Sequence, residues 1–145
     1  MNFRIFLFFA TLLILCSSLL AAYEKRALQV GAVMYDVEVV QTVPERRQGL
    51  SGRSHLKSNC GMLFVYKNHR EIPAFWMKGM LFPIDIIWIS NDEVIQITSD
   101  IPVERCEEFC LQKYSPYKAI DHVLEINAGE AKEMGIQIGD RVKFR

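Results

Sequence analysis

Residues 61–89 set the strongest constraint on what this chain can fold into. They begin Gly61-Met-Leu-Phe-Val-Tyr66, pass through a polar break, and continue as Phe75-Trp-Met-Lys78 and Pro83-Ile-Asp85-Ile-Ile-Trp-Ile89. Branched and aromatic residues at this density suit buried strands. Charges are rare in the run: Lys78 directly follows Phe-Trp-Met, and Asp85 is flanked by isoleucines. An unpaired charge is too costly to bury, so such groups are paired, hydrogen-bonded or set at the mouth of a cavity. The segment is therefore expected to carry part of the core and the candidate site together.

The chain has 145 residues, enough for one ordinary domain, and half of them are hydrophobic. Part of that hydrophobicity lies outside the core. Residues 1–22 carry one charge, Arg4, then an uncharged apolar stretch that ends in small residues. This layout is expected of a signal peptide cleaved after Ala21 or Ala22, or after Ser18. A retained N-terminal anchor is the alternative, because about 18 apolar residues reach the lower limit of a spanning helix. A lipoprotein signal is disfavoured by Leu15, since a small residue is wanted just before Cys16. The expected location is the periplasm or the extracellular space, with the membrane a partner only through this segment if it is uncleaved.

Removing Arg4 from the 17 basic residues leaves 16 against 17 acidic ones beyond residue 22, a net charge of −1. That balance gives no electrostatic case for a nucleic-acid partner. Three cysteines remain in that part, Cys60, Cys106 and Cys110. Export permits disulfides, and an odd count leaves one thiol over or an intermolecular bond. Cys106 and Cys110 close a small loop and are the natural pair, although a bridge at that spacing needs a bent backbone if the segment is helical. Two unpaired thiols are the other reading. A metal site there is weakly supported, with no further cysteine or histidine nearby at ligand spacing.

Along the chain, residues 23–30 read as a mixed lead-in. Strands are expected at 34–43, 61–66, 84–90, 93–99, 122–127 and 141–144, with a short extended piece at 74–78. Asn91-Asp92 is a good hairpin turn between two of them. Pro44 opens a short helix that ends near Gly49 or Gly52, and a second short helix spans 128–135. The fold class is mainly β (α+β): a small barrel-like domain of short, mostly antiparallel strands with two short helices, forming one domain over 30–145.

Taken in order, several blocks resemble the family known as domain of unknown function 192. They are Arg46…Gly49-Leu50…Arg53…Leu56, Gly61-Met62-Leu63-Phe64-Val65, Phe75-Trp76-Met77-Lys78 and Pro83-Ile84-Asp85-Ile86-Ile87-Trp88-Ile89. The closing block is Val123-Leu124-Glu125-Ile126-Asn127-Ala128-Gly129…Gly135-Ile136…Gly139-Asp140-Arg141-Val142. The resemblance implies a small, mostly β fold, frequent export in bacteria and no established activity. It also implies the bridge Cys106–Cys110, because a cysteine pair before a tyrosine is common in the family's exported members. The chain departs from the pattern twice. Ser51 stands where the family usually has methionine, and Gly79-Met80 where it usually has Asn-Thr, a pair of plausible ligand donors.

The leading candidate site is a ligand pocket or groove built from Arg46, Trp76, Lys78 and Asp85. In a strand from Ile84, Asp85 shares a face with Ile87 and Ile89, so its carboxylate is expected to be shielded. Arg46, Arg53 and Lys78 are the cations available to it, and a purely structural role is a buried ion pair or a cap on the turn after Pro83. Trp76 beside Lys78 would stack on a sugar, a peptide or a planar ligand, or would simply be a core strand with a snorkelling lysine. Met62, Met77 and Met80, with Trp76, His55 and His69, offer a Cu(I) reading, but methionines at such spacings are usually core filler. Cys60 with His55, His69 or His122 lacks any fixed geometry. Ser51 lacks the spacing of a nucleophile elbow. Asp121 and His122, as neighbours on a strand, are expected to point apart. The turn at Gly139-Asp140 is structural.

The functional expectation is an exported binding or accessory module of the cell envelope, without cofactor or metal, for a small molecule, glycan or peptide. The alternatives are an envelope hydrolase using a shielded carboxylate and a Cu(I)-binding protein.

Overall fold

The computed structural model describes residues 23–66, 70–104 and 112–145. Its elements are β1 (Glu24–Val30), β2 (Val33–Val40), α1 (Val43–Gln48), β3 (Cys60–Val65), β4 (Ile84–Ser90), β5 (Glu93–Ile101), β6 (His122–Asn127), α2 (Glu130–Glu133) and β7 (Val142–Phe144). The strands form one seven-stranded sheet in the order β5-β4-β6-β3-β2-β1-β7, curled into a half-barrel. Every pairing is antiparallel except that of β2 with β3. The mainly β architecture with two short helices is the one expected from the sequence.

Both faces of the sheet are covered, which is why all seven residues of β4 are buried. Alternation along the strands sorts them between two cores. Ile87 and Ile89 of β4 join Leu124 and Ile126 of β6, Tyr35 and Val37 of β2 and Ala131 of α2 on one face. Ile84, Ile86 and Trp88 join Met62 and Phe64 of β3, Val123 of β6, and Met77 and Met80 on the other.

Local chemistry explains most element boundaries. Asn91 and Asp92 both take positive φ, 54° and 55°, the requirement of a tight turn between twisted antiparallel strands. The N-cap of α1 is Thr42, whose Oγ1 accepts from the Glu45 amide while Glu45 reaches back to the Thr42 amide. Gly61 permits the close approach of β3 to β6: a Cβ there would lie 2.7 Å from Leu124 Cδ1 and 2.9 Å from the Glu125 carbonyl oxygen.

Two element expectations change. The lead-in supplies β1, which pairs with β2 along its whole length and with β7. Its polar start, Glu24-Lys25-Arg26, is exposed, and only Leu28 and Val30 are buried. The piece at 74–78 makes no strand; Phe75 alone forms a bridge, to Tyr114. At one end of the half-barrel the two edge strands are hooked together: the Val94 amide donates to Asp140 (2.9 Å), and Gly139 and Val142 donate to Val94 and Asp92 (2.8 Å each).

Residues 1–22, Cys106, Cys110 and His69 lie outside the described residues. The expected signal segment and the expected disulfide therefore carry no structural account. Cys60 is half-buried and in no disulfide among the described residues.

Candidate functional site

The sheet holds two carboxylates in apolar surroundings, on neighbouring strands and opposite faces. Asp85 of β4 is paired with Ile126, and Glu125 of β6 with Ile86, so their side chains leave the sheet in opposite directions. Their environments differ as sharply as their directions.

Asp85 is fully buried. Its Oδ1 accepts from the amides of Asp100 (2.7 Å) and Gly129 (3.0 Å), and its Oδ2 from Ala131 (3.0 Å). The carboxylate thus ties the end of β5 to the entry of α2, where amides left without helical acceptors need a partner. None of the three cations expected to pair with it does so. Arg53 makes a two-pronged ion pair with Glu38 instead, at 2.9 and 2.5 Å. That contact holds the Glu38 carboxyl below its ordinary range. The Tyr35 hydroxyl, on the same face as Asp85, is buried without a partner among the described residues. Its pKa is raised by burial first and then by the charges of Glu130 and Asp85.

On the other face, α1, the segment around Phe75 and strands β3 and β6 enclose a cavity of about 420 Å³. Buried Phe64, Met80 and Glu125 form its floor. Phe75 stands edge-on to Phe64, with ring centroids 4.9 Å apart, and Trp76 is 45 % exposed at the wall. Arg46, Arg47 and Glu71 supply the charged rim. Arg46 is fixed: its Nη1 donates to the carbonyls of Gln41 (2.5 Å) and Val65 (3.1 Å), and its guanidinium lies 4.6 Å over the Tyr66 ring. The Tyr66 hydroxyl is pushed up to about 12, by burial against the opposing charge of Arg46, with Glu71 and Glu125 adding to the rise.

Glu125 is the unusual group. Across the strands it faces Met62 and Ile86, and its Oε2 is buried with no hydrogen-bond partner among the described residues. Burial alone pushes its pKa up to about 8. Around neutrality it is therefore mainly an undissociated acid, with a proton to donate and no acceptor among those residues.

Of the four residues expected to converge, Arg46 and Trp76 meet at this cavity. Asp85 and Lys78 do not line it. Asp85 is on the wrong face. Lys78 is exposed, and it is its carbonyl that is used, accepting from Ser51 Oγ at 2.9 Å. Beside it Gly79 takes φ +76°, and a Cβ there would be 3.3 Å from Ser51 Cβ. The two departures from the family pattern thus touch one another at the cavity's edge. Glu125, Tyr66 and Glu71 were not anticipated from sequence. The signal for Glu125 was present: it stands between Leu124 and Ile126 as Asp85 stands between Ile84 and Ile86.

Of the remaining candidates, Met80 and Ser51 also line the cavity. Met62, Met77 and Met80 pack in the core cluster of that face. His55 is exposed and bonded to its neighbour Ser54. Among the described residues no group of three His, Cys, Asp or Glu side chains could hold a metal ion. Asp121 and His122 do meet, with Oδ1 and Nδ1 2.9 Å apart, because Asp121 precedes β6 and escapes strand alternation. Among the described residues no helix is long and apolar enough to cross a membrane.

Residues 26–144 match domain of unknown function 192, described as "Uncharacterized ACR". The chain belongs to that family. No curated protein matches it. Two solved structures share the fold of this domain of unknown function 192 member. One is a protein of unknown function from Novosphingobium aromaticivorans, 27% identical over 86% of this chain and 88% of that chain, with a TM-score of 0.76. The other is a "putative transcription regulator" from Sinorhizobium meliloti, 26% identical over 85% of this chain and 95% of that chain, with a TM-score of 0.75.

Proposed function

We propose that this member of the family is a small-molecule-binding module of the cell envelope, with the cavity under α1 as its site. The observation that carries this reading is Glu125: a buried carboxyl without a partner among the described residues, in the floor of an aromatic-walled cavity. A fold keeps such a group at a cost, because burying a polar atom without a hydrogen bond destabilises by about 1–3 kcal/mol. A ligand that supplies the missing partner recovers that cost on binding. Trp76 offers a half-exposed ring for stacking, and fixed Arg46 presents a charge that need not be reorganised. Export comes from the layout of residues 1–22 and is part of the proposal. The near-neutral charge balance speaks against nucleic acid as the ligand.

The test uses the two tryptophan indole N–H signals in a nitrogen-15 correlation spectrum. Trp88 is buried and donates to Thr98, so it serves as an internal reference. Sugars, short peptides, cell-wall fragments and small acids are titrated in turn. A class that moves the Trp76 signal, leaves Trp88 in place and loses its effect in Glu125→Met supports the site. A flat response to every class removes the proposal.

A further inference from the structure

Resting on that reading of the cavity, we infer that its ligand offers a hydrogen-bond acceptor to Glu125 and a negative charge to the arginine rim, and is therefore a small carboxylate with an inward carbonyl group rather than a cation. Glu125 is bracketed by β3 and β4. The strands on either side present Met62 and Ile86, which carry no charge. From the segment that follows β3 come Tyr66 and Glu71, and from α1 come Arg46 and Arg47. Lys67 and His69 lie outside the described residues. Arg46 is turned to two carbonyls and the Tyr66 ring, and no ion pair to Glu125 forms among the described groups.

Those neighbours decide the ligand's polarity. Among the described residues the rim sets Arg46 and Arg47 against Glu71, so a cationic group would have to pass the two arginines and would then require Glu125 to ionise in an apolar floor. An acceptor oxygen needs neither step: the undissociated acid has one O–H, its Oε2 has no hydrogen-bond partner among the described residues, and a carbonyl completes it. At the rim the same ligand's carboxylate meets guanidinium donors, of which Arg46 holds several not used by its two carbonyl contacts. The aromatic wall leaves space between the two polar ends for a planar or apolar middle.

The two polarities have opposite dependence on acidity. Binding to the protonated acid is level in mild acid and weakens once Glu125 loses its proton, which burial delays to about 8. Binding of a cation to the carboxylate strengthens over the same range.

The experiment compares N-acetylphenylalanine, which has a carboxylate, an amide carbonyl and a ring, with phenethylammonium, which has the ring and a positive charge. Both are titrated into the full chain and read on the Trp76 indole signal. N-acetylphenylalanine is expected to bind, and to bind about tenfold more weakly at pH 9 than at pH 7. Glu125→Gln keeps a donor at that position and is expected to bind it with the acidity dependence gone, whereas Glu125→Met is expected to lose at least tenfold while remaining folded by thermal melt. Preferential binding of phenethylammonium, strengthening with pH and abolished in Glu125→Gln, overturns this inference and leaves the cavity as a binding site. No movement of Trp76 with any class, including these two, overturns the cavity reading itself and this inference with it.

Discussion

Replacing Glu125 by glutamine should make the protein's stability markedly less dependent on pH. In the folded chain the acid titrates at about 8, against an ordinary value of 4.5, and burial is the cause. Below the ordinary value both the folded and unfolded chains hold the proton, and the group contributes nothing to the difference. As pH rises past it, the unfolded chain releases the proton while the folded chain keeps it, so stability falls, and the fall ends only above the folded value. Each unit of separation is worth about 1.4 kcal/mol, and integration between the two titrations gives a loss of about 3–4 kcal/mol from pH 5 to pH 8. That is a large part of the about 5–15 kcal/mol that a domain has in total. Glutamine cannot ionise, so its variant should lose this component while retaining the contributions of all other groups. The assay is urea unfolding of both proteins at half-unit steps across that interval, and the quantity is the difference between the two stability curves. A difference that grows by about 3–4 kcal/mol towards the alkaline end supports the reasoning. Curves that stay parallel within about 0.5 kcal/mol would refute it, because Glu125 would then be ionised in the fold and satisfied by some other group.

Other substitutions probe the frame around the cavity. Asp85→Asn turns an amide group towards three backbone donors, and should destabilise by about 2–4 kcal/mol in urea without changing the response of Trp76 to ligands; a change below about 0.5 kcal/mol would count against its bracing role. Gly61→Ala places a methyl 2.9 Å from the Glu125 carbonyl oxygen, so thermal unfolding should show a loss of at least about 2 kcal/mol. Glu38→Gln breaks the pair with Arg53, whose side chains are 25% and 29% exposed, and should cost only about 1 kcal/mol, less at high salt. Because Glu38 titrates below its ordinary range when folded, that contribution is present above the range and is lost as pH falls through the folded value.

Local patterns made much of the fold readable. Asn91-Asp92 between two β-branched runs signalled its hairpin, and Pro44 followed by an acid signalled α1. Strand β1 was missed because half of it is held by neighbours rather than by buried side chains: Glu24, Lys25 and Arg26 face solvent while their backbones pair with β2. The candidate cavity was readable only in part. Arg46 and Trp76 stood out as charge and ring in unlikely places. The choice of Asp85 over Glu125 could not be made from the chain alone, since both are acids between branched residues. What separates them is non-local: amides from the end of β5 and the entry of α2 arrive at one carboxylate, and among the described residues none reach Oε2 of the other. The Asp121–His122 contact is hidden from sequence for a related reason, because alternation holds only inside a strand and β6 begins at His122.

The hook between the entries of β5 and β7 bears on how this chain behaves among copies of itself. An open sheet has two margins of unpaired amides and carbonyls, each able to recruit a strand from a neighbour and seed a fibre. Here one stretch of each margin is consumed by the other. Further along β5, Gln96 accepts from the Tyr117 amide and obstructs the same flank. A crowded solution of this protein should therefore resist edge-to-edge assembly, and opening the hook would expose the chain to it.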